Sequence, residues 1–175
     1  MQRALTGVLL VGGASTRFGS PKALARVGGE TLAERGRRVL AEVCDEVLVV
    51  GKAGELPFEV LDDGSPVRAP IAGVVAGLRA ARNDVAVVVP VDCASITAAA
   101  VLALAEACRD VAVPSSGPLP GAWSRRALEV LERRLAAGEL SLWRALDELD
   151  VAVVPLDESL VADVDTPGEL AALGE

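Results

Sequence analysis

The residue types that follow the first apolar segment are those that bind a polyphosphate. A strand predicted over Ala4–Val11 leads into a loop that reads Gly12-Gly13-Ala14-Ser15-Thr16-Arg17-Phe18-Gly19-Ser20-Pro21-Lys22. Glycine allows backbone N–H groups to approach phosphate oxygens closely. A guanidinium can donate two hydrogen bonds to one phosphate, and an ammonium adds a compact positive charge. We therefore expect this loop to bind phosphate groups, with Arg17 and Lys22 as its cations.

The spacing of this loop excludes two common phosphate-binding motifs. The P-loop requires a lysine directly after its last glycine and a hydroxyl after that lysine, whereas Gly19 is followed by Ser20 and Lys22 by Ala23. The dinucleotide-binding fingerprint requires G-x-G-x-x-G, which the glycines of this loop do not form. An ordinary solvated turn between a strand and a helix is the alternative interpretation.

Asp92 comes directly after a strand predicted over Val85–Val91. In an open parallel sheet, a carboxylate at the carboxyl end of a central strand is placed to hold a metal ion or a substrate group. The alternative is that Asp92 caps the helix predicted over Ile96–Cys108, although Ser95 is better placed for that role.

Two other acidic segments have a structural as well as a functional interpretation. Asp62-Asp63-Gly64 is an ordinary turn signal. The segment Asp163-Val164-Asp165-Thr166-Pro167 has the pattern of a helix start, in which Asp165 or Thr166 caps the helix before the proline. From the residues alone, neither segment is assigned to a site.

The order of elements predicts an α/β fold with helices on both faces of a mostly parallel sheet. Continuously apolar strands are typical of strands that are covered on both faces, and the alternation with helices indicates βαβ units. The remaining strands are predicted over Glu46–Val50, Phe58–Leu61, Val111–Pro114 and Val151–Pro155. The remaining helices are predicted over Leu32–Cys44, Pro70–Ala81, Arg125–Ala137, Ser141–Leu149 and Pro167–Leu173.

Length and composition indicate one domain, residues 1–175, with a core of valine, leucine and alanine. Apolar residues make up 51% of the chain and aromatic residues only 2%. No apolar segment reaches the roughly 18 residues of a membrane span, and the first residues lack a signal-peptide pattern. We therefore predict a cytoplasmic protein with no membrane partner.

Charge and reactive residues exclude several classes of function. The net charge of −8 argues against binding to nucleic acid. The chain contains no histidine, which excludes histidine general bases and most zinc sites. Cys44, Cys93 and Cys108 are scattered and are predicted to be small apolar core residues.

The loop pattern G-G-x-S-x-R-x-G-x-P-K resembles the signature of nucleotidyltransferases that activate sugars and cofactors, and most closely that of the molybdenum cofactor guanylyltransferases. The resemblance implies a three-layer α/β/α sandwich with a Rossmann-like sheet, as in nucleotide-diphospho-sugar transferases. It implies Mg²⁺ held by Asp92 and by Asp165, with Asp163 behind Asp165. It also implies catalytic roles for Arg17, Lys22 and Asp92. The nucleotide-binding residues that it implies are Leu10, Val11, Gly12, Gly13, Ser15, Arg17, Lys22, Asp63 and Asp92.

The chain departs from the family pattern at three places. Ala69 stands where a glycine usually begins the helix predicted over Pro70–Ala81. Cys93-Ala94-Ser95 stands where Pro-Phe often follows the metal-binding aspartate. The loop Ser115–Gly121 is short, although Pro118–Arg126 and the later Ala136–Glu139 resemble the segments that present the acceptor.

The resemblance implies transfer of the nucleoside monophosphate of GTP to molybdopterin phosphate, with release of pyrophosphate. It also implies contact with molybdoenzyme maturation proteins. A cytidylyltransferase, another cofactor or sugar-phosphate nucleotidyltransferase, and a non-catalytic nucleotide-binding relative remain alternatives. The sequence alone does not decide the base, the acceptor or the oligomeric state.

Overall fold

A computed structural model describes residues 2–12, 22–52 and 56–174 of the chain. The main sheet has six strands in the order β4-β1-β5-β7-β6-β8, and a small hairpin pairs β2 with β3. The strands are β1 Leu5–Val11, β2 Arg26–Val27, β3 Glu30–Thr31, β4 Glu46–Gly51, β5 Val85–Pro90, β6 Val111–Pro114, β7 Gly121–Ser124 and β8 Val151–Val154. The helices are α1 Leu32–Ala41, α2 Pro70–Ala80, α3 Ala98–Ala107, α4 Leu128–Ala136, α5 Leu142–Leu146, α6 Glu158–Val161 and α7 Pro167–Ala172.

The mostly parallel sheet expected from the sequence is confirmed. Strand β1 is parallel to both its neighbours, so that Val8 pairs with Leu48 of β4 and with Val88 of β5. Strands β6 and β8 are also parallel to each other, and β7 is the antiparallel strand between β5 and β6. Strand β7 was not predicted, because Gly121-Ala122-Trp123-Ser124 does not form the continuous apolar run by which the other strands were recognised.

Successive side chains of the sheet enter two separate apolar clusters, one on each face. On one face Leu9 belongs to the same cluster as Leu40 of α1 and Leu104 of α3. On the other face Val8 and the fully buried Trp123 belong to a cluster with α2, α4 and α5. The molecule is therefore the expected three-layer sandwich.

Small residues let α2 pack closely on β1, whose carboxyl end leads into the glycine-rich loop. A Cβ atom on Gly73 would lie 2.7 Å from Cδ2 of Leu10, and one on Gly77 would lie 2.8 Å from Cγ1 of Val8. Cβ contacts this short essentially do not occur. The spacing of the two glycines therefore positions the last residues of β1.

Several predicted boundaries are wrong. The strand expected over Phe58–Leu61 is reduced to one bridge between Val50 and Leu61. The helix expected to begin at Ile96 begins at Ala98, because Thr97 and not Ser95 accepts the capping hydrogen bond. Helices α1, α4 and α5 are shorter than predicted, and Arg125–Ala127 form a 3₁₀ turn. The hairpin of β2 and β3 and the short helix α6 were not predicted.

The cysteines are confirmed as structural residues. Cys93 and Cys108 are buried, Cys44 is half-buried, and all three are free thiols. Burial raises the pKa of Cys44 and of Cys93 to about 12 and that of Cys108 to about 11. In the described ranges, no helix is both long and apolar enough to cross a membrane.

Replacing Gly51 with alanine is expected to destabilise the fold strongly. Gly51 has φ 152°, and a Cβ atom would lie 1.5 Å from the carbonyl oxygen of Val11. The ends of β1 and β4 would have to separate, so we expect a loss of at least about 3 kcal/mol in the free energy of unfolding. Urea denaturation measures this loss.

Gly64 provides the matched control for this substitution. It also has a positive φ, 68°, but no atom lies within 4 Å of the added Cβ. Gly64→Ala is therefore expected to cost only about 1 to 2 kcal/mol from backbone strain. Equal losses in the two variants would contradict the close approach of Gly51 to β1.

Candidate nucleotide and metal site at the carboxyl edge of the sheet

The chain reverses its direction of travel across the sheet at β1. It leaves β1 for β4 on one side and then returns beyond β1 to β5 on the other. Ligands of open α/β sheets bind at the carboxyl ends of strands near such a reversal. The residues at these carboxyl ends are Gly12 after β1, Lys52 after β4, and Asp92 shortly after β5.

Lys22 brings two of the predicted carboxylates together. It opens a short 3₁₀ turn at the end of the glycine-rich loop. Its Nζ lies 3.2 Å from Oδ2 of Asp92 and 3.3 Å from Oδ1 of Asp165. The Lys22 and Asp92 side chains are mostly buried, whereas the Asp165 side chain is about half exposed, at 54%. Three residues that were selected separately in the sequence therefore form one cluster.

The backbone holds the two acidic segments in register. The N–H of Val164 donates to the carbonyl oxygen of Asp92 at 2.9 Å. Thr166 is the N-cap of α7 and forms a capping box with Glu169. The helix-start interpretation is therefore correct for Thr166, and it leaves the carboxylate of Asp165 to interact with Lys22.

Asp92 does not cap a helix, since Thr97 performs that function for α3. The loop that follows Asp92 is instead held from α1, where Nε of Arg35 donates to the carbonyl oxygen of Ala94 at 2.7 Å. Sequence reasoning missed Arg35, because an arginine on a polar helix face carries no local signal of a contact 59 residues away.

The electrostatics of the cluster favour a cation between the carboxylates. Partial burial lowers the pKa of Lys22, but the charges and hydrogen bonds of Asp92 and Asp165 outweigh this effect, and its pKa is raised. Asp163 is exposed as a whole residue. Partial desolvation nevertheless raises the pKa of its carboxyl to about 6, with smaller contributions from the negative charges of Asp92 and Asp165.

The carboxylates present are suited to an open magnesium site and not to a site in which protein side chains supply all the metal ligands. Within residues 2–12, 22–52 and 56–174, no three or more histidine, cysteine, aspartate or glutamate side chains are grouped as metal ligands. Magnesium commonly takes one or two protein carboxylates and completes its octahedron with phosphates and water. Asp92 and Asp165 converge on one cationic position and supply oxygen donors of that kind.

A second ion-pair cluster lies beside the end of β4. Nζ of Lys52 lies 3.0 Å from Oδ1 of Asp63 and 3.4 Å from Oδ1 of Asp62. Both aspartates also accept a backbone hydrogen bond: Asp62 from the N–H of Gly64, and Asp63 from the N–H of Ser65. The turn interpretation of this segment is therefore correct, and Lys52 is a charged partner that the sequence analysis missed.

Of the other predicted site residues, some lie outside the described residues and the others lie at the end of β1. Gly13, Ser15 and Arg17 lie outside the described residues. At the end of β1, the carbonyl oxygen of Leu10 accepts a hydrogen bond from Val91 at 2.9 Å. Val11 is buried, and Gly12 has a positive φ of 111°. Since side chains rarely adopt that φ, a glycine is required where the loop begins.

The segment that resembles the acceptor-presenting region is partly internal. Residues Gly121–Ser124 form the buried strand β7, and Trp123 is fully buried. The side chain of Trp123 therefore belongs to the core. The loop 115–120 follows β6, which runs in the same direction as β5, so this loop lies at the carboxyl edge of the sheet.

Replacing Arg35 with alanine is expected to loosen the loop that carries Asp92. A hydrogen bond from a charged donor is worth about 1.5 to 3 kcal/mol, so the exchange protection of the Cys93 and Ile96 amides should fall at least about tenfold. Hydrogen exchange followed by mass spectrometry measures this change. Arg38→Ala is the control, because Arg38 is on the same helix and pairs with Glu30 and Glu42. Equal exchange in both variants would refute the role of Arg35.

Asp163 is expected to make stability depend on pH in the absence of metal. Its pKa is about 6 in the folded protein against an ordinary value of 3.8. The unfolded chain therefore loses this proton first as the pH rises, and the folded state loses stability between about pH 4 and pH 6. Asp163→Asn should raise the melting temperature at pH 7.5 in chelator and should change it little at pH 4.

Asp157 supplies a control of opposite sign. Its hydrogen bonds with Ser159 lower the pKa of its carboxyl, so its contribution to stability is present above the unfolded pKa and is lost as the pH falls. Asp157→Asn should therefore lower the melting temperature at pH 7.5. A lower melting temperature for Asp163→Asn at pH 7.5 would contradict the assignment of Asp163.

Comparison with known proteins agrees with this geometry. The family model of the MobA-like NTP transferase domain matches residues 7–153. A protein of Chloroflexus aggregans named "probable molybdenum cofactor guanylyltransferase" is 35% identical over 161 residues, which cover 83% of this chain and 77% of that protein.

Two solved structures share the fold over nearly their whole length. The molybdopterin-guanine dinucleotide biosynthesis protein A of Archaeoglobus fulgidus has a TM-score of 0.80 at 22% identity, covering 97% of this chain and 96% of that one. The 2-C-methyl-D-erythritol 4-phosphate cytidylyltransferase of Thermus thermophilus has a TM-score of 0.75 at 20% identity, covering 95% of each chain. The family match and the sequence identity lead to one conclusion: the chain belongs to the MobA-like NTP transferase family and is a nucleotidyltransferase.

Proposed function

We propose that this protein transfers the guanosine monophosphate of GTP to the phosphate of molybdopterin and releases pyrophosphate. The observation that carries the proposal is the Lys22 ammonium between the carboxylates of Asp92, which follows β5, and Asp165. The names of curated relatives such as that of Chloroflexus aggregans support guanine as the base and the molybdenum cofactor as the acceptor.

In the proposed reaction, an oxygen of the acceptor phosphate forms a bond to the α-phosphorus of GTP. The bond from that phosphorus to the oxygen bridging to the β-phosphorus breaks, and the electron pair leaves with pyrophosphate. The acceptor oxygen is already an anion, so no side chain has to remove a proton from it. This requirement suits a chain without histidine.

The protein's own contribution is position and charge. Lys22 would donate to phosphate oxygens and offset the charge that accumulates on the leaving pyrophosphate. Arg17 is proposed to do the same from the glycine-rich loop. Asp92 and Asp165 would hold Mg²⁺, which supplies Lewis-acid neutralisation of the phosphates when bound. The hydrogen bond from the Val164 N–H to the carbonyl oxygen of Asp92 holds the backbones of the two acidic segments next to each other.

Asp92→Asn is expected to lower kcat at least about tenfold and to weaken the dependence on Mg²⁺, because one of the two carboxylate charges is removed. Pyrophosphate release with GTP and molybdopterin, titrated with MgCl₂, measures both effects. Asp84→Asn is the matched control, since Asp84 is exposed and lies at the opposite end of β5. If Asp92→Asn releases pyrophosphate at the same rate as the unaltered protein at every Mg²⁺ concentration, Asp92 does not bind the metal.

The substrates are tested by competition among equal amounts of GTP, CTP and ATP with molybdopterin as acceptor. The guanine dinucleotide should be the main product. A faster product from CTP would overturn the choice of base. If no nucleotide is consumed until another phosphorylated acceptor is supplied, the molybdopterin assignment is wrong while nucleotidyl transfer stands.

A further inference from the structure

Lys22 cannot perform its proposed role while it keeps the contacts seen in the structure. The proposed function gives Lys22 the phosphates of the nucleotide. It gives Asp92 and Asp165 the metal ion, at a point between their carboxylates that we call the metal position. In the structure, Nζ of Lys22 lies 3.2 Å from Oδ2 of Asp92 and 3.3 Å from Oδ1 of Asp165. Both roles are filled only if Lys22 changes partners.

The charges at the metal position couple the arrival of a metal ion to the departure of Lys22. Two neighbouring cations repel each other, and they do so more strongly where solvent is partly excluded. The side chains of Lys22 and Asp92 are only 17% and 24% exposed, so screening by water is limited. Departure of the ammonium alone would leave Asp92 and Asp165 without a cation between them. One cation therefore has to replace the other.

The backbone that carries Lys22 is anchored, whereas its side chain can turn to another partner. Ala23 is buried, and the N–H of Ala25 donates to the carbonyl oxygen of Lys22 at 3.0 Å. The ammonium stands at the end of a flexible four-carbon stem and has three rotatable donors. A change of partner therefore needs rotation of one side chain and no movement of the fold.

The two aspartates are held by backbone contacts that do not include Lys22. The N–H of Val164 donates to the carbonyl oxygen of Asp92 at 2.9 Å. The N–H of Asp165 donates to Oε2 of Glu169 at 2.6 Å. The two acidic segments therefore stay beside each other when the ammonium leaves, and their carboxylates can receive a second cation.

We propose that Lys22 occupies the metal position of the resting enzyme and that Mg²⁺ and a nucleotide displace it together. The ammonium moves from the carboxylates of Asp92 and Asp165 to the phosphates, and the metal ion takes its former place. Without a nucleotide, Lys22 loses two carboxylates and gains no phosphate, so Mg²⁺ alone binds weakly. Without Mg²⁺, the phosphates have to approach two carboxylates, so the nucleotide alone binds weakly. The inference rests on the proposed function for the two ligands, and it adds the contact that regulates their binding.

This exchange makes the site respond to Mg²⁺ and nucleotide as a pair. When Lys22 occupies the metal position in about nine-tenths of the molecules, the apparent affinity for a metal ion falls about tenfold. Coupling between two ligands is reciprocal, so bound metal strengthens nucleotide binding by the same factor as bound nucleotide strengthens metal binding. Removal of the ammonium is therefore expected to change the two affinities in opposite directions.

The first test is Lys22→Met, which removes the charge and keeps most of the stem. Mn²⁺ is the probe of the metal position, and the free ion is measured by electron paramagnetic resonance without nucleotide or acceptor. We expect the variant to bind Mn²⁺ about tenfold more tightly than the unaltered protein, because the competing cation is absent. The same variant should bind GTP in Mg²⁺ about tenfold more weakly, because the phosphates lose a charged donor. Calorimetry measures this second Kd.

Two controls assign the gain in Mn²⁺ affinity to this cluster. Adding Asp92→Asn to Lys22→Met should abolish the gain, because one of the two carboxylates loses its charge. Arg79→Met removes one positive charge from an exposed ion pair with Glu132. It therefore tests the effect of net charge alone, and it should leave both Kd values unchanged.

A second measurement uses the unaltered protein, so it does not depend on the folding of a variant. The sequence contains only two lysines, Lys22 and Lys52, and their acetylation by an amine-selective ester is followed by mass spectrometry. Saturating Mg²⁺ alone should raise the acetylation rate of Lys22 several-fold relative to that of Lys52, because the ammonium leaves its carboxylates. Addition of GTP to the Mg²⁺ sample should lower the rate again, because the phosphates then bind Lys22.

Equal or weaker binding of Mn²⁺ by folded Lys22→Met would overturn the inference. An acetylation rate of Lys22 that saturating Mg²⁺ leaves unchanged would also overturn it. The Mn²⁺ measurement contains neither nucleotide nor acceptor, so it is independent of the transfer reaction. Absent pyrophosphate release together with tighter Mn²⁺ binding by Lys22→Met would count against the proposed function alone.

Discussion

The interaction on which the site depends is the Lys22 ammonium shared by Asp92 and Asp165. Like charges repel strongly where solvent is partly excluded, and Asp163 adds a third carboxyl whose pKa is raised by partial desolvation and, to a smaller extent, by the charges of Asp92 and Asp165. The chain as a whole carries a net charge of −8, so it does not supply a diffuse positive field. A local cation is therefore required to keep the acidic segments together, and the glycine-rich loop delivers it from the end of β1.

The last 20 or so residues take a long path, from the edge of the sheet back to its centre. The need to bring their carboxylates to Lys22 explains this path. Strand β8 lies at the far edge of the sheet from β4, several strands away from Asp92. The chain then returns to the centre, where Val164 is buried in the same apolar cluster as β1 and β5. Leu156 and Leu160 pack on that cluster along the way. Burial of these apolar side chains therefore places the segment of Asp163 and Asp165 at the site, and the hydrogen bond from Val164 to Asp92 fixes its register.

Local patterns predict the elements of this molecule well and their long-range partners poorly. The buried strands and the glycine-ended β1 follow from apolar runs and a backbone requirement, both visible in a few consecutive residues. Strand β7 lacks the continuous apolar run of the other strands, and its antiparallel place between β5 and β6 is set by tertiary pairing. The sequence indicated Asp92 through its position at the end of an apolar strand and Asp165 only through the family resemblance, and the structure places both carboxylates beside Lys22. The contacts of Arg35 with Ala94 and of Lys52 with Asp63 join distant segments, and nothing adjacent in the sequence marks them.

Glycines stand at the carboxyl ends of two neighbouring strands: Gly12 comes directly after β1, and Gly51 is the last residue of β4. Gly12 turns the backbone out of β1 at a positive φ, and Gly51 lets β4 approach Val11 without a side chain between them. At Gly51 a Cβ atom would lie 1.5 Å from the carbonyl oxygen of Val11, so any side chain there would force the ends of β1 and β4 apart. Because Lys52 directly follows Gly51, this close approach also fixes where Lys52 and its partner Asp63 lie relative to the end of β1.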